Sequence, residues 1–362
     1  MQSFLLISCL LFSSLLLAQD KVQQARDLGR EAIQKMEAGQ IYHSLELLEK
    51  AQQLDPDNID YPYEMAYAHY LGKDFPAALK ILKKLVKRKD ANALVHQMLG
   101  NVYDMNGQTQ RAIAAYDEGL KLFPKAGILY LERGNMELKK EQYAEALDYY
   151  EKGIYVEPSY PSNYYWAARI YLSSSERIWG FLYGEIFMNL ERNSPRTAEI
   201  SKLLYDTYKS SIHIEKKNET EFDINVNLCK TMVMTVSDLQ QEGGAKMPFC
   251  MVYGTDLTVS IAPSLGKIDL NSLSDMRARH IQLHYEQKRD QQYDNLLFQY
   301  QKLLQEKGHF EAYSHWILMK GDEPAFGAWL KDHEEEWEAF IEWFSENPME
   351  ITAENAFHSN QF

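Results

Sequence analysis

The stretch that decides the fold is residues 96–124, which read HQMLGNVYDMNGQTQRAIAAYDEGLKLFP. It places Gly100 and Ala112 on two successive apolar helical faces and ends at Pro124. Small residues at such positions allow two helices to approach closely, whereas large side chains would force them apart. Proline then follows the second helix because it has no backbone N–H with which to continue it. The stretch therefore predicts two antiparallel helices in close contact.

The same pattern recurs every 34 residues. Each of five units has a small residue in its first helix, a small residue in its second helix, and a proline or polar residue at its end. The first series is Ala32, Ala66, Gly100, Gly134 and Ala168, the second is Ser44, Ala78, Ala112, Ala146 and Gly180, and the third is Pro56, Asp90, Pro124, Pro158 and Arg192. Self-similarity at one fixed period indicates a repeat architecture.

These residues resemble the tetratricopeptide repeat family, whose pattern residues 96–124 match at nearly every key position. The resemblance implies an all-α solenoid of about five helix-turn-helix repeats. We place it, with a covering helix near residues 195–213, in residues 20–213. In this family the first helices of stacked repeats line a concave groove that binds peptides. The resemblance therefore implies a non-catalytic scaffold whose partner is another protein or peptide.

The groove residues follow from the resemblance, because positions 5, 9 and 12 of each first helix face the groove. The candidate peptide-binding residues are Tyr63, Tyr67, Tyr70, Gln97, Asn101, Asp104, Leu131, Asn135, Tyr165 and Arg169. Asn101 and Asn135 are equivalent in successive repeats, and an amide has both donors and an acceptor for an extended backbone. Aromatic rings with polar tips supply contact area at low entropic cost. Alternatively, the rings fill gaps between repeats, or the C-terminal region folds back into the groove.

The N-terminal region predicts export. Residues 4–18 are apolar and uncharged, and they end at Leu16-Leu17-Ala18-Gln19. This is typical of the apolar region and small-residue cleavage site of a signal peptide. The stretch is shorter than the roughly 20 residues that cross a bilayer. We therefore expect a signal peptide over residues 1–19, a periplasmic or secreted protein, and no integral membrane span.

The charge balance disfavours nucleic acid as a partner. The chain has 38 Lys and Arg residues against 52 Asp and Glu residues, a net charge of -14. Such a surface repels phosphate backbones. One dense basic run stands out, and it is interpreted as a solvated helix face. Its members are Lys80, Lys83, Lys84, Lys87, Arg88 and Lys89.

Residues 214–362 lack the period and are predicted to form a mainly helical module with a short strand pair. Residues 222–228 alternate as a strand would, and residues 257–261 fit a short strand or an extended connection. A last acidic helix from about Pro324 is expected to bury a set of apolar residues. These are Trp329, Trp337, Phe340, Ile341 and Phe344. Cys229 and Cys250 are equally compatible with a disulfide and with two buried thiols.

Catalysis is the minority hypothesis. His280 and His284 have the i, i+4 spacing with which two imidazoles share a metal, but no HExxH motif is present. Arg277 and Arg279 beside them would repel a cation. The sequence therefore predicts no catalytic residue, metal or cofactor. The alternatives are an envelope enzyme or metal-binding protein with its site in residues 214–362, and a groove filled by the chain's own tail. The sequence leaves the oligomeric state open.

Overall fold

The computed structural model describes residues 2–218, 221–229, 247–264 and 267–361. Contacts divide the chain into two compact units, residues 1–133 and residues 134–362. The described residues contain 18 α-helices and one antiparallel strand pair. The prediction of a mostly helical repeat fold with a short strand pair is confirmed. The two units are described in turn.

The first unit consists of paired helices. They are α1 (Gln2–Glu37), α2 (Ile41–Leu54), α3 (Asp60–Leu71), α4 (Phe75–Leu85), α5 (Ala93–Met105) and α6 (Thr109–Leu122), followed by the start of α7 (Gly127–Leu138). The small residues of both series are buried between the helices of each pair. Side chains of residues 1–18, where the signal peptide is predicted, lie outside the described part.

The volumes of the paired residues are complementary. Where the first helix has alanine, leucine follows 16 residues later in the second helix, and where it has glycine, tyrosine follows. The leucine pairs are Ala32 with Leu48 and Ala66 with Leu82, and the tyrosine pairs are Gly100 with Tyr116 and Gly134 with Tyr150. A Cβ atom at either glycine would overlap the tyrosine ring. Glycine is therefore needed wherever the second helix carries the larger ring.

The turns between paired helices also follow the 34-residue period. Gly39, Lys73, Gly107 and Glu141 all have φ values between 59° and 74°. This left-handed conformation ends a helix by letting the next N–H groups return to carbonyl groups of its last turn. Glycine adopts it freely, whereas lysine and glutamate adopt it at a cost. The repeat geometry therefore imposes one backbone conformation that only half of these turns meet with glycine.

The second unit contains the rest of α7, the helices of the last repeats, a covering helix and the C-terminal module. Its elements are α8 (Tyr143–Val156), α9 (Pro161–Leu172), α10 (Arg177–Leu190), α11 (Pro195–Ser211), β1 (Ile212–Lys216), β2 (Phe222–Val226), α12 (Phe249–Ile261), α13 (Leu270–Glu286), α14 (Asp290–Tyr293), α15 (Leu296–Glu306), α16 (Phe310–Leu318), α17 (Glu323–Asp332) and α18 (Glu334–Glu346). Strands β1 and β2 pair in the register Ile212 to Val226 and Lys216 to Phe222.

A buried ion pair joins the C-terminal module to the last repeat. Arg277 on α13 donates from Nη1 and Nη2 to the two carboxylate oxygens of Glu185 on α10, at 2.9 and 2.8 Å. Both side chains are 4% exposed. Gln301 on α15 donates to the same carboxylate, and Arg277 Nε donates to Ser314 on α16. Burial alone would lower the pKa of Arg277, but Glu185 raises it above its usual value. The ion pair and its hydrogen bonds thus hold three helices of the module to α10.

Two expectations for the module are wrong. Residues 257–261 lie in helix α12 and not in a strand, because apolar residues at helical spacing, Val252, Leu257 and Ile261, are buried along one side of it. Ile341 is 42% exposed and not buried. The predicted acidic helix breaks at His333, whose φ and ψ of -130° and 32° lie outside the helical region. The break resets the buried side of α18 to Phe340 and Phe344.

The structure pairs Cys229 with Cys250, whose Cα atoms are 6.1 Å apart. This resolves the two alternatives for the cysteines in favour of a disulfide. It links the residues after the strand pair to the first turn of α12. Within the described residues, no helix has the length and apolar character that a membrane span needs.

Candidate functional site

The candidate tyrosines of the first unit lie on α3 and are half-buried. Tyr67 and Tyr70 are stacked, with ring centroids 6.3 Å apart. With Tyr63 they pack against the apolar core around Ala66 and Leu82. Burial raises the pKa of Tyr63 to about 12, so its hydroxyl is neutral at neutral pH. The three rings therefore pack on the core with one side and leave part of their surface to solvent.

The polar candidates on α5 already have partners within the first unit. Gln97 Nε2 donates to Glu132 at 2.7 Å, and Asn101 Nδ2 lies 3.4 Å from the same oxygen. The Tyr116 hydroxyl donates to Asn101 Oδ1 at 2.5 Å. Asp104 is half-buried on the same helix. Leu131 on α7 is buried, so it contributes packing and little surface.

The two equivalent asparagines share a structural task. Asn135 Oδ1 accepts from the Tyr150 hydroxyl at 2.9 Å, as Asn101 Oδ1 does from Tyr116. Both tyrosines are fully buried, and a buried hydroxyl without a partner is costly. Each asparagine therefore satisfies the tyrosine of its own repeat. The sequence contains this signal, because each tyrosine follows its asparagine by the same interval within the 34-residue period.

The second unit has an open cleft with a volume of about 630 Å³. Helix α9 supplies Trp166, Arg169 and Ile170, and the covering helix α11 supplies Glu199 and Leu203. The remaining lining residues are Leu138, Tyr143, Ser173 and Ser174. Of the candidate residues, the cleft therefore includes Arg169. Tyr165, on the same helix, is buried.

Local sequence signals position the helices of the cleft. Helix α9 has Pro161 in its first turn, where a missing N–H costs nothing. Helix α11 begins with Pro195 after Ser194, whose hydroxyl accepts from the Thr197 N–H at 3.2 Å. The Thr197 side chain accepts from the Ser194 N–H in return, which forms a capping box. These caps fix where α11 starts and hence which of its residues reach the cleft.

A charged and aromatic network crosses the cleft. Arg169 lies over the ring of Trp166, 4.6 Å from its centroid, and its Nε lies 3.2 Å from Glu199 Oε1. The Tyr165 hydroxyl donates to Glu199 Oε2 at 2.7 Å, and burial raises the pKa of Tyr165. Arg169 is thus held between a π face and a carboxylate. The cleft offers a flat aromatic surface, apolar walls and one oriented ion pair, which suit a side chain or a short peptide segment.

Sequence reasoning misses half of this cleft. Glu199 and Leu203 lie on the covering helix, to which the sequence assigns only the role of covering the last repeat. Trp166 is not among the candidate site residues either. A helix that packs on the last repeat must bring its neighbouring residues to the end of that repeat's exposed surface. The capping box at Ser194 is the one signal that could place them.

The histidine pair of the C-terminal module lies among aromatic rings. His280 lies near Tyr253, with ring centroids 4.3 Å apart, and His284 meets Phe298 at 4.7 Å. Burial, then His284 and Arg277, lowers the pKa of His280 to about 3, and burial lowers that of His284 to about 4. Both rings are neutral at neutral pH. In the described part of the chain, no group of three or more His, Cys, Asp or Glu residues could hold a metal.

This burial predicts acid sensitivity. In the unfolded chain both histidines have pKa values near 6.5, so the unfolded state binds more protons as the pH falls below that value. Stability is therefore fully present above about pH 6.5 and decreases towards pH 4, by about 1.4 kcal/mol per pH unit for each histidine. We expect His280→Gln to flatten the pH dependence of the urea-unfolding free energy by about that slope. The exposed His43→Gln should leave it unchanged, and equal slopes in all three proteins would refute the expectation.

Two tetratricopeptide repeat models match the sequence, one over residues 35–102 and the other over residues 98–164. Residues 35–164 are tetratricopeptide repeats. Tetratricopeptide repeats are generally protein-interaction scaffolds, and the paired helices, small-residue contacts and left-handed turns described above are their local basis. The fifth pair, α9 and α10, continues the period beyond the matched residues, and α9 supplies one wall of the cleft.

Several solved structures are similar to part of the chain. MamA is 21% identical with a TM-score of 0.35, over 44% of this chain and 94% of MamA. A tetratricopeptide repeat protein of Thermus thermophilus is 17% identical with a TM-score of 0.42, over 50% of this chain and 98% of that protein. PilF of Pseudomonas aeruginosa is 18% identical with a TM-score of 0.43, over 53% of this chain and 86% of PilF. No curated protein sequence matches this chain.

Proposed function

We propose that this protein is a non-catalytic scaffold of the cell envelope that binds an extended segment of another protein along the first helices of its repeats. The cleft between α9 and α11 anchors that segment. The observation that carries the proposal is the open space of about 630 Å³ in front of Trp166. A concave apolar space with few oriented polar groups is where partner side chains contribute most binding energy.

The chemistry of the cleft indicates what it would hold. Trp166 offers a flat face, and Leu203 and Ile170 offer apolar walls. Arg169 and Glu199 form one pair whose remaining donors and acceptors can meet the amide groups of an extended backbone. An apolar or aromatic side chain with backbone polar groups on both sides fits these features. The partner is thus a peptide segment in our proposal.

The first-unit candidates take a supporting part in this proposal. Tyr63, Tyr67 and Tyr70 leave part of their rings exposed and supply contact area. Asn101 and Asn135 stay candidate contacts for a partner's backbone. Because each uses its carbonyl oxygen on a buried tyrosine, we place the anchoring of the partner on the cleft.

The envelope location rests on the sequence and on the disulfide. Residues 4–18 have the apolar character of a signal peptide. A disulfide between Cys229 and Cys250 persists best under oxidising conditions such as those outside the cytoplasm. These two features agree with each other. We therefore propose that the scaffold acts after export.

The test is site-specific cross-linking in cells that produce the protein. Tyr143 and Tyr155 both lie on α8 and are 52% and 67% exposed, but of these two only Tyr143 lines the cleft. We expect p-benzoylphenylalanine at position 143 to cross-link a protein partner, recovered in the envelope fraction. At position 155 it should not cross-link that partner.

A second substitution makes the result specific. Trp166→Ala removes the aromatic face without changing position 143, so it should abolish the adduct at that position. No adduct at position 143, or the same adducts at positions 143 and 155, would contradict the proposal. An adduct that survives Trp166→Ala unchanged would contradict the role of the cleft.

A further inference from the structure

A second surface has features that the proposed function does not use. It is a cleft of about 450 Å³ on the first unit, formed mainly by α3 and α4 with one residue of α2. Its apolar residues include Pro62, Met65 and Ile81, and its rim includes Lys80 and Lys84. We name it the basic cleft. It lies on the dense basic run that the sequence analysis interpreted as a solvated face.

The charges at the rim are unbalanced. Helix α4 contains no acidic residue, and within the described residues Lys80 and Lys84 form no ion pair. Arg88 differs, because it is held by Asp90 and by the Asp57 carbonyl. Like charges at i, i+4 on one helix destabilise it. Two unpaired lysines beside apolar residues, in a chain of net charge -14, indicate a surface that attracts carboxylates around an apolar anchor.

The chain itself carries such an anchor. On α18 the exposed Ile341 lies between Glu338 and Glu342, which form no ion pair within the described residues. Because α18 breaks from α17 at His333, this side of the helix faces solvent. Ile341 is the residue that the sequence predicted to be buried. Its exposure leaves an apolar side chain available to a partner.

The spacing of the two surfaces matches. On α4, Lys80 and Lys84 are four residues apart with Ile81 one residue inside the first lysine. On α18, Glu342 and Glu338 are four residues apart with Ile341 one residue inside the first glutamate, when the helix is followed in the opposite direction. An antiparallel arrangement of the two helices therefore brings each glutamate towards a lysine and the isoleucines together.

From this complementarity we propose that the basic cleft of one molecule binds α18 of a second molecule. The contact is heterologous, because each molecule uses a different surface on either side of it. It leads to rings or open chains of molecules, not to closed pairs alone. Exposed ion pairs and one apolar anchor make a weak contact, which salt screens. A nucleic acid is a poor occupant, since the net charge repels phosphates and the cleft contains apolar residues.

The test is a charge exchange on the full chain, measured by sedimentation velocity. The wild-type protein should self-associate at about 100 µM in about 0.05 M salt and dissociate in about 0.5 M salt. Lys80→Glu/Lys84→Glu and Glu338→Lys/Glu342→Lys should each weaken the association by about tenfold or more. An equimolar mixture of the two variants should restore it, because each then meets the opposite charge. All four positions are exposed, so folding, checked by circular dichroism, should be retained.

Two controls make the outcome decisive. Lys121→Glu/Lys125→Glu changes the net charge equally on exposed residues of the same unit outside the cleft, and should associate as the wild type does. Trp166→Ala should also associate normally, which separates this proposal from the proposed function. A wild type that stays monomeric overturns the proposal and points to another acidic protein as occupant. Failure of the mixture to restore association, or an equal loss in the Lys121/Lys125 control, overturns it as well.

Discussion

Arg277→Met is expected to destabilise the second unit by about 3–5 kcal/mol, measured as the free energy of urea-induced unfolding. The substitution leaves the carboxylate of Glu185 buried without its cation, while Gln301 still donates to it. An uncompensated buried charge is among the most costly single changes. Because the ion pair and its hydrogen bonds join α10 to three helices of the C-terminal module, the loss should also appear as faster proteolysis of that module.

The matched control removes both charges. Glu185→Leu/Arg277→Met replaces the pair with apolar side chains, and such replacements are often neutral. We expect the double variant to be more stable than Arg277→Met alone. If the double variant loses the sum of the two single losses, the cost does not come from an unpaired charge, and the account of this contact is wrong.

Gly134→Ala is expected to destabilise the protein by about 1–3 kcal/mol, although alanine is the better helix former by about 1 kcal/mol. The added Cβ would overlap the ring of Tyr150, which is fully buried and has little room to move aside. Overpacking therefore outweighs helix propensity at this position. The measurement is again the free energy of unfolding in urea.

The first two repeats supply the matched background. They combine alanine with leucine where the fourth combines glycine with tyrosine. In a Tyr150→Leu protein the ring is gone, so Gly134→Ala should become stabilising by up to about 1 kcal/mol. The same substitution thus changes sign with its partner. A destabilisation of equal size in both backgrounds would refute the complementary volumes.

The repeat part of the fold was predictable because its determinants are local and periodic. Small residues at a fixed interval identify the helix contacts, and the alternation of Ala with Leu and Gly with Tyr is present in the sequence. The C-terminal module was less predictable. Arg277 and Glu185 lie 92 residues apart, and no local pattern marks their contact. Residues 257–261 fit either a strand or a helix until their neighbours are known.

The candidate site was predictable in part for the same reason. The repeat period places Arg169 on the correct helix, and the structure brings it to the cleft. The period could not indicate Glu199, because that residue lies on a helix outside it. Asn101 and Asn135 show the opposite case. Their repetition is evident in the sequence, but it reflects at least a hydrogen bond to a buried tyrosine in each repeat.

The central claim is that this protein acts by holding a segment of another protein in the Trp166 cleft. Its most direct test is a titration of the segment that cross-links to position 143, made as a synthetic peptide, into the purified protein, followed by calorimetry. Wild type should bind it, and Trp166→Ala should bind it at least about tenfold more weakly, since tryptophans at the centre of a contact dominate its binding energy. Equal affinity for both proteins would contradict the claim.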